Sequence, residues 1–271
     1  MKKSILIIGA IIVSTGLMAI NFFNKSESKE VKSHTQEAVV IKLENNLAKQ
    51  LGLKKKPAFF FDMGPRFRPI KKSFINNVKG IDDFLTAEEL KNIDSYGAID
   101  IILIENEVRS EKRSDGTDPI FSDEQITFLQ SMPYSSNFVI QADFQEKVPG
   151  TDGTFQLNFN YASPHLTVVP EKQAEYDLGN GAFYEYLRKK AKKEIDNVDY
   201  DELFPAKLYF TVSMEGEITN IKLMKSSRHP ELDEKMIELM QDLPGQWIPA
   251  MNEDGEKVAQ ELVLSFGMIG C

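Results

Sequence analysis

Cysteine, histidine and tryptophan are scarce in this 271-residue chain, which has one Cys, three His and one Trp. The single cysteine, Cys271 at the last position, excludes an internal disulfide framework and any cysteine-rich zinc site. His34, His165 and His229 lie far apart and form neither an HExxH nor an HxH pair, so metal-ligand spacing is missing. No serine sits in a GxSxG elbow, and Gly179-Asn180-Gly181 lacks the Lys-Ser/Thr of a phosphate-binding loop. In Ser226-Ser227-Arg228-His229 the serines and the histidine are sequence neighbours, which rarely take nucleophile and base geometry. Gly (16) and Pro (12) are too few for a collagen-like or low-complexity stalk. Basic charge is also in deficit: 32 Lys and Arg against 41 Asp and Glu give −9, with a pI near 5.1. That balance argues against nucleic acid as a partner. On these absences the expectation is no enzyme, with no catalytic residue, no cofactor and no metal; the alternative is an enzyme with its site in the middle of the chain, around Arg66 and Arg68.

What is present is 42% hydrophobic and 27% charged residues, enough for a packed body. The charge is divided unevenly. Residues 1–80 carry 15 Lys and Arg against 5 Asp and Glu (+10), and residues 81–271 carry 17 against 36 (−19). Met1-Lys2-Lys3 precedes an uncharged run from Ser4 to Phe23, whose 20 residues as a helix would span about 30 Å, the depth of a bilayer core. Residues 1–24 therefore read as a signal-anchor, with the body outside the cytoplasmic membrane. The alternative is a signal peptide cleaved near the small residues between Ser14 and Ala19, which would release the body into the periplasm. Residues 25–57 read as a basic tether, with Leu43, Leu47 and Leu51 at helical spacing before Pro57.

Residues 58–172 show a mixed α+β pattern. Asp62 to Pro69 holds two prolines and a glycine and reads either as a turn between packed elements or as a ligand loop presenting Arg66 and Arg68. Ile81–Ile93 fits a helix capped by Thr86, and Ser122 caps another from Asp123 to Met132. Alternation marks strands at Ile99–Leu103, Phe138–Phe144, Thr154–Tyr161 and Leu166–Val169. Asp115–Asp118 and Thr151–Thr154 lack the ligand spacing of calcium loops and read as hairpin turns.

From residue 173 the pattern sharpens into helix, strand, strand, helix, strand. Phe183, Leu187 and Ala191 share a helix face; Leu208, Phe210 and Val212 share a strand face; Glu215-Gly216 turns the chain. Leu232, Met236, Leu239, Met240 and Leu243 line the second helix, Asp254-Gly255 turns again, and Val258–Phe266 is a long last strand. The expected fold is α+β: an N-terminal hydrophobic helix, a mixed α+β domain (58–172), and a small domain (173–271) with a three-stranded antiparallel sheet and two helices.

That last string resembles the C-terminal domain of the TonB family of energy-transducing envelope proteins over roughly residues 174–267. The resembling residues are Tyr176 to Leu187, Val212-Ser213-Met214-Glu215-Gly216-Glu217-Ile218, Ser226-Ser227, Leu232-Asp233, Leu243-Pro244, Trp247-Ile248-Pro249-Ala250, Gly255 to Val258, and Phe266. The resemblance implies binding by strand addition of a peptide from an outer-membrane receptor or another envelope protein, with proton-motor proteins as further partners. An edge strand offers unpaired N–H and C=O groups for this. The expected edge is Val258 to Phe266, with Val258, Gln260, Leu262, Leu264 and Phe266 as the partner-binding positions. The chain departs from the family in three ways. Pro is scarce between the apolar run and the distal domain, Ser4–Phe23 holds no histidine, and residues 58–170 lie outside the family pattern. Asp123–Pro133 also echoes Asp233–Pro244, either as a degenerate repeat or as a coincidence of two α+β units.

Overall fold

The computed structural model describes residues 58–150 and 154–268. The expected membrane segment Ser4–Phe23, the tether with His34, residues 151–153 of the expected Thr151–Thr154 turn, and Cys271 lie outside the described residues. Among the described residues no helix is long and apolar enough to cross a membrane.

The chain opens with two strands, β1 (Phe59–Gly64) and β2 (Arg68–Lys71), then a one-turn helix α1 (Lys72–Ile75). A 3-10 turn at Ile81–Phe84 and a short helix α2 (Ala87–Leu90) follow. Thr86 caps α2, as its sequence position suggests, but the helix is one turn long because Ile93 already begins a strand. That strand, β3 (Ile93–Glu105), folds back as β4 (Val108–Gly116) through Asn106 and Glu107, both with positive φ, the backbone of a two-residue primed hairpin turn. Ser122 and Gln125 form a reciprocal capping box that starts α3 (Asp123–Ser131). Next come β5 (Asn137–Pro149), β6 (Phe155–Ala162) and β7 (His165–Val169).

The sheet order in this half is β2-β7-β5-β3-β4, with β6 continuing the β7 side of β5. Alternation works as expected. Phe138, Ile140 and Ala142 of β5, Ile99 and Ile101 of β3, and Leu166 of β7 are fully buried in one core with Leu129 of α3. Each large side chain so buried stabilises the fold by roughly 1.5–3 kcal/mol. The Asp115–Asp118 segment is not a hairpin turn. It ends β4, and the chain proceeds to a bridge between Gly80 and Ile120 and then to α3. The reason is local: Gly116 lies against the buried Gln125 side chain, where a Cβ would come within 2.7 Å, so the chain is drawn onto the helix start.

The second half begins with a two-residue strand, β8 (Glu175–Tyr176), then α4 (Gly179–Lys190) and α5 (Lys192–Asn197). Strands β9 (Ala206–Val212) and β10 (Ile218–Lys225) form a hairpin, and Pro230 opens α6 (Pro230–Gln241). Short strands β11 (Trp247–Ile248), β12 (Ala250–Met251) and β13 (Lys257–Val258) lead into β14 (Gln260–Met268). Phe183 and Leu187 of α4 and Leu232, Met236 and Met240 of α6 bury their faces against Leu208, Phe210, Leu264 and Phe266. Trp247 sits in this core beside Tyr176, Phe183 and Phe210 and is structural.

The α+β class therefore holds. The sheet of this second half has four strands in the order β1-β14-β9-β10. The added strand is β1, from the stretch expected to belong with residues 58–172, and its Phe61 joins the C-terminal core.

The two halves share one connectivity. In each, a hairpin is followed by a helix and then by a strand that pairs antiparallel with the first hairpin strand, giving β5-β3-β4 and β14-β9-β10. The echo between 123–133 and 233–244 thus falls on equivalent helices. The Asp-Gly pairs near the two helices are not in equivalent places in the chain, since Asp152-Gly153 follows β5 in sequence and Asp254-Gly255 precedes β14.

Candidate functional site

The site begins with a correction. Val258 to Phe266 is not an open edge: β14 pairs with β9 on one side, from Gln260↔Val212 to Phe266↔Ala206. On its other side β1 runs antiparallel to it, from Phe59↔Met268 to Gly64↔Val263. Leu262, Leu264 and Phe266 point into the core, and Gln260 is buried with its side chain accepting from the Ala174 N–H at 2.7 Å. Val258 lies outside this ladder, in β13, paired with Ala250. The physical cause is that Phe59, Phe61 and Met63 alternate inward and bury their rings and chain on the same core. The outer side of β1 is held in turn by α4. Arg188 donates to the Phe59 carbonyl at 3.4 Å, and the Tyr184 phenol oxygen is hydrogen-bonded to the Met63 backbone.

The sheet's remaining edge is β10. Among the described residues it pairs only with β9, with register shifts between Thr219 and Lys222 and between Leu223 and Lys225, and with Asn220 at φ 54°. Such irregularities and the two lysines guard an edge against indiscriminate pairing.

Beside this edge lies a cleft of about 800 Å³, floored by Tyr209, Thr211, Lys222 and Glu261 and walled by the β3–β4 turn and the Pro133–Asn137 loop. It marks where the two sheets meet by their outer faces. Ile102 and Val139 of one sheet and Tyr209 and Val263 of the other are buried, yet they face away from both cores.

Glu107 closes one end of this junction. Its carboxylate accepts both Arg66 Nε and Nη2 at 2.7 Å, Lys207 Nζ at 3.2 Å, and the Tyr209 hydroxyl. The Arg66 guanidinium holds the Glu107 carboxyl down at about 2, with Tyr209 and Lys207 adding to the shift against the cost of burial. Burial, and then the Glu107 carboxylate, push the Tyr209 phenol up. Burial lowers Lys207, with Arg66 reinforcing the shift. At the other end the Glu261 N–H donates to Ser135 Oγ at 2.9 Å. Burial raises the Glu261 carboxyl, opposed by Lys222.

The remaining sequence candidates are absorbed by structure. Arg66 serves Glu107, and Arg68 donates to the Phe84 carbonyl at 2.9 Å, so the two guanidinium groups do not converge on a common site. Ser226 Oγ and the Ser227 N–H both donate to the buried Asp233, and His229 Nε2 is 3.2 Å from the Asp199 carbonyl, so no Ser–His pair forms. His165 Nδ1 lies 2.9 Å from the Ser163 carbonyl. Among the described residues there is no cluster of His, Cys, Asp or Glu fit to hold a metal ion.

Glu107 and β1 were missed from sequence. The signals were Asn106-Glu107 between two alternating runs, and the inward period of Phe59, Phe61 and Met63. Comparison with protein-family models, with curated proteins and with solved structures gives no match to this chain.

Proposed function

We propose that the protein is a non-catalytic envelope protein that binds a partner protein by β-strand addition, in the manner of a TonB-type transducer serving outer-membrane transport receptors. The incoming strand is received at β10. The observation that carries this reading is the open β10 edge on the αββαβ lobe that resembles the TonB C-terminal domain. An extended peptide would complete the ladder at β10, while its side chains reach the cleft floor at Lys222 and Glu261. The apolar run Ser4–Phe23 anchors the chain in the cytoplasmic membrane, and the described body stands in the periplasm. The lack of a histidine in that run and of a Pro-rich spacer favours, as second reading, an adaptor or scaffold that works without a proton motor.

Site-specific photocrosslinking of the full-length chain in cell envelopes tests the reading. A benzophenone side chain at Asn220 or Lys222 should give adducts with an envelope protein. The same group at Ser265, in the doubly paired β14, should give none. Adducts from Ser265 but not from β10 would reject β10 as the receiving edge.

A further inference from the structure

Among the described residues, every edge of the two larger sheets except one carries a recognisable protection. β10 has two register shifts and two lysines. β4 carries Arg109, Glu111, Lys112, Arg113 and Asp115 and a register shift against β3. β2 is four residues long and includes Pro69. The outer side of β1 is held by Arg188 and Tyr184. The exception is β6, Phe155–Ala162. It pairs in unbroken register with Ala142–Pro149 of β5 on one side and, among the described residues, with no strand on the other. It has no charge, no proline and no bulge, and of its outward N–H groups that of Tyr161 is held only by the neighbouring Asn160 Oδ1 at 2.8 Å, a contact that pairing exchanges for an interstrand one. Natural sheets rarely leave such an edge bare unless it is meant to be paired.

The side chains specify what pairs with it. Phe155, Leu157, Phe159 and Tyr161 point to one face and are 69%, 54%, 72% and 64% exposed, while Gln156, Asn158 and Asn160 point to the other. The order is self-complementary about Asn158. Laid antiparallel against a copy of itself, Phe155 meets Tyr161, Leu157 meets Phe159, Gln156 meets Asn160, and Asn158 meets Asn158. Apolar thus falls on apolar and amide on amide, the condition for an isologous contact around a two-fold axis. We infer that β6 is a homodimer interface, in which the β6 strands of two copies join their sheets into one.

Edge-to-edge joining covers the flanks of these side chains and leaves their outer faces in water, so the area buried stays below the roughly 1,000 Å² of a specific stable interface and the pair is reversible, with backbone hydrogen bonds supplying register.

The test uses cysteine register in the full-length chain with Cys271→Ser, which removes the one native thiol. In Asn158→Cys the two thiols face each other, with Cα atoms about 4.5–5.5 Å apart, within disulfide reach. In Gln156→Cys they stand four residues out of register, about 13 Å apart, and cannot bridge. Mild oxidation should therefore give covalent dimer at least ten-fold faster for Asn158→Cys than for Gln156→Cys. Adding the exposed-site change Phe159→Lys should lower the dimer yield at least ten-fold, and sedimentation of the Cys271→Ser protein should show a concentration-dependent monomer–dimer equilibrium that Phe159→Lys abolishes. Equal yields at 156 and 158, or a monomer at every concentration, would overturn the proposal. Mixed disulfides of Asn158→Cys with a different envelope protein, in place of the dimer, would overturn it in favour of a foreign strand.

Discussion

Glu107 gives the sharpest energetic prediction, because one carboxylate ties the β3–β4 turn to Arg66 and to two side chains of β9. Replacing it by Gln keeps the shape and removes the charge. The carboxyl falls from an ordinary 4.5 to about 2 in the folded protein. At about 1.4 kcal/mol per pH unit this sets an upper limit of about 3.4 kcal/mol on the pairing. The Glu107 side chain is 28% exposed and that of Arg66 20%, so solvent screening reduces the expected loss to about 1–2 kcal/mol. The sign follows from the direction of the shift. A depressed carboxyl contributes fully above its unfolded value and loses its contribution as pH falls toward the folded one. Urea unfolding at pH 7 should therefore show Glu107→Gln less stable by about 1–2 kcal/mol, and the gap should shrink by roughly half as pH drops from 5 to 3. High salt should narrow it as well. A variant equal to the native chain at pH 7, or a gap unchanged between pH 7 and 3, would refute the assignment of Glu107 as an ion-paired latch.

Two further substitutions probe the C-terminal lobe. Gly216 turns β9 into β10 at φ 84°, and a Cβ there would stand 2.3 Å from the Trp247 carbonyl oxygen. Gly216→Ala should cost at least about 2 kcal/mol in thermal or urea unfolding, against a few tenths if the turn can reshape. Phe61→Ala removes the buried ring through which β1 holds to the core and stacks on Tyr184, at a cost of about 3–4 kcal/mol. Hydrogen exchange should then show the β14 amides that face β1 losing protection while those facing β9 keep it. Uniform loss would mean that β1 is no separate layer of the sheet.

Local chemistry made much of the architecture legible. The two-residue period of Phe138 to Phe144 and of Leu208 to Val212, the helical spacing of Leu232 to Met240, and the caps at Thr86 and Ser122 each depend on residues within a few positions of one another. So do the turns at Gly216 and Gly255, where positive φ selects glycine. The shared ββαβ order also left a trace in the echo of 123–133 and 233–244. The sequence by itself thus determined most of the longer helices and strands and the apolar face of each, though not β1 or the break of Ile81–Ile93 into a 3-10 turn and a one-turn helix.

Which strand lies beside which was decided only by tertiary structure. Phe59-Phe60-Phe61 shows an inward face, but no local property says that the face belongs to a core built more than a hundred residues later. Once β1 is seated there, the hydrogen-bonding groups of Val258–Phe266 that face it are consumed, and the open edge passes to β10. The same holds for Glu107, an unremarkable turn acid until packing brings Arg66, Lys207 and Tyr209 around it. An open edge and a depressed carboxyl are both defined by neighbours distant in sequence, so side-chain periodicity carries no record of them. Three-dimensional pairing does.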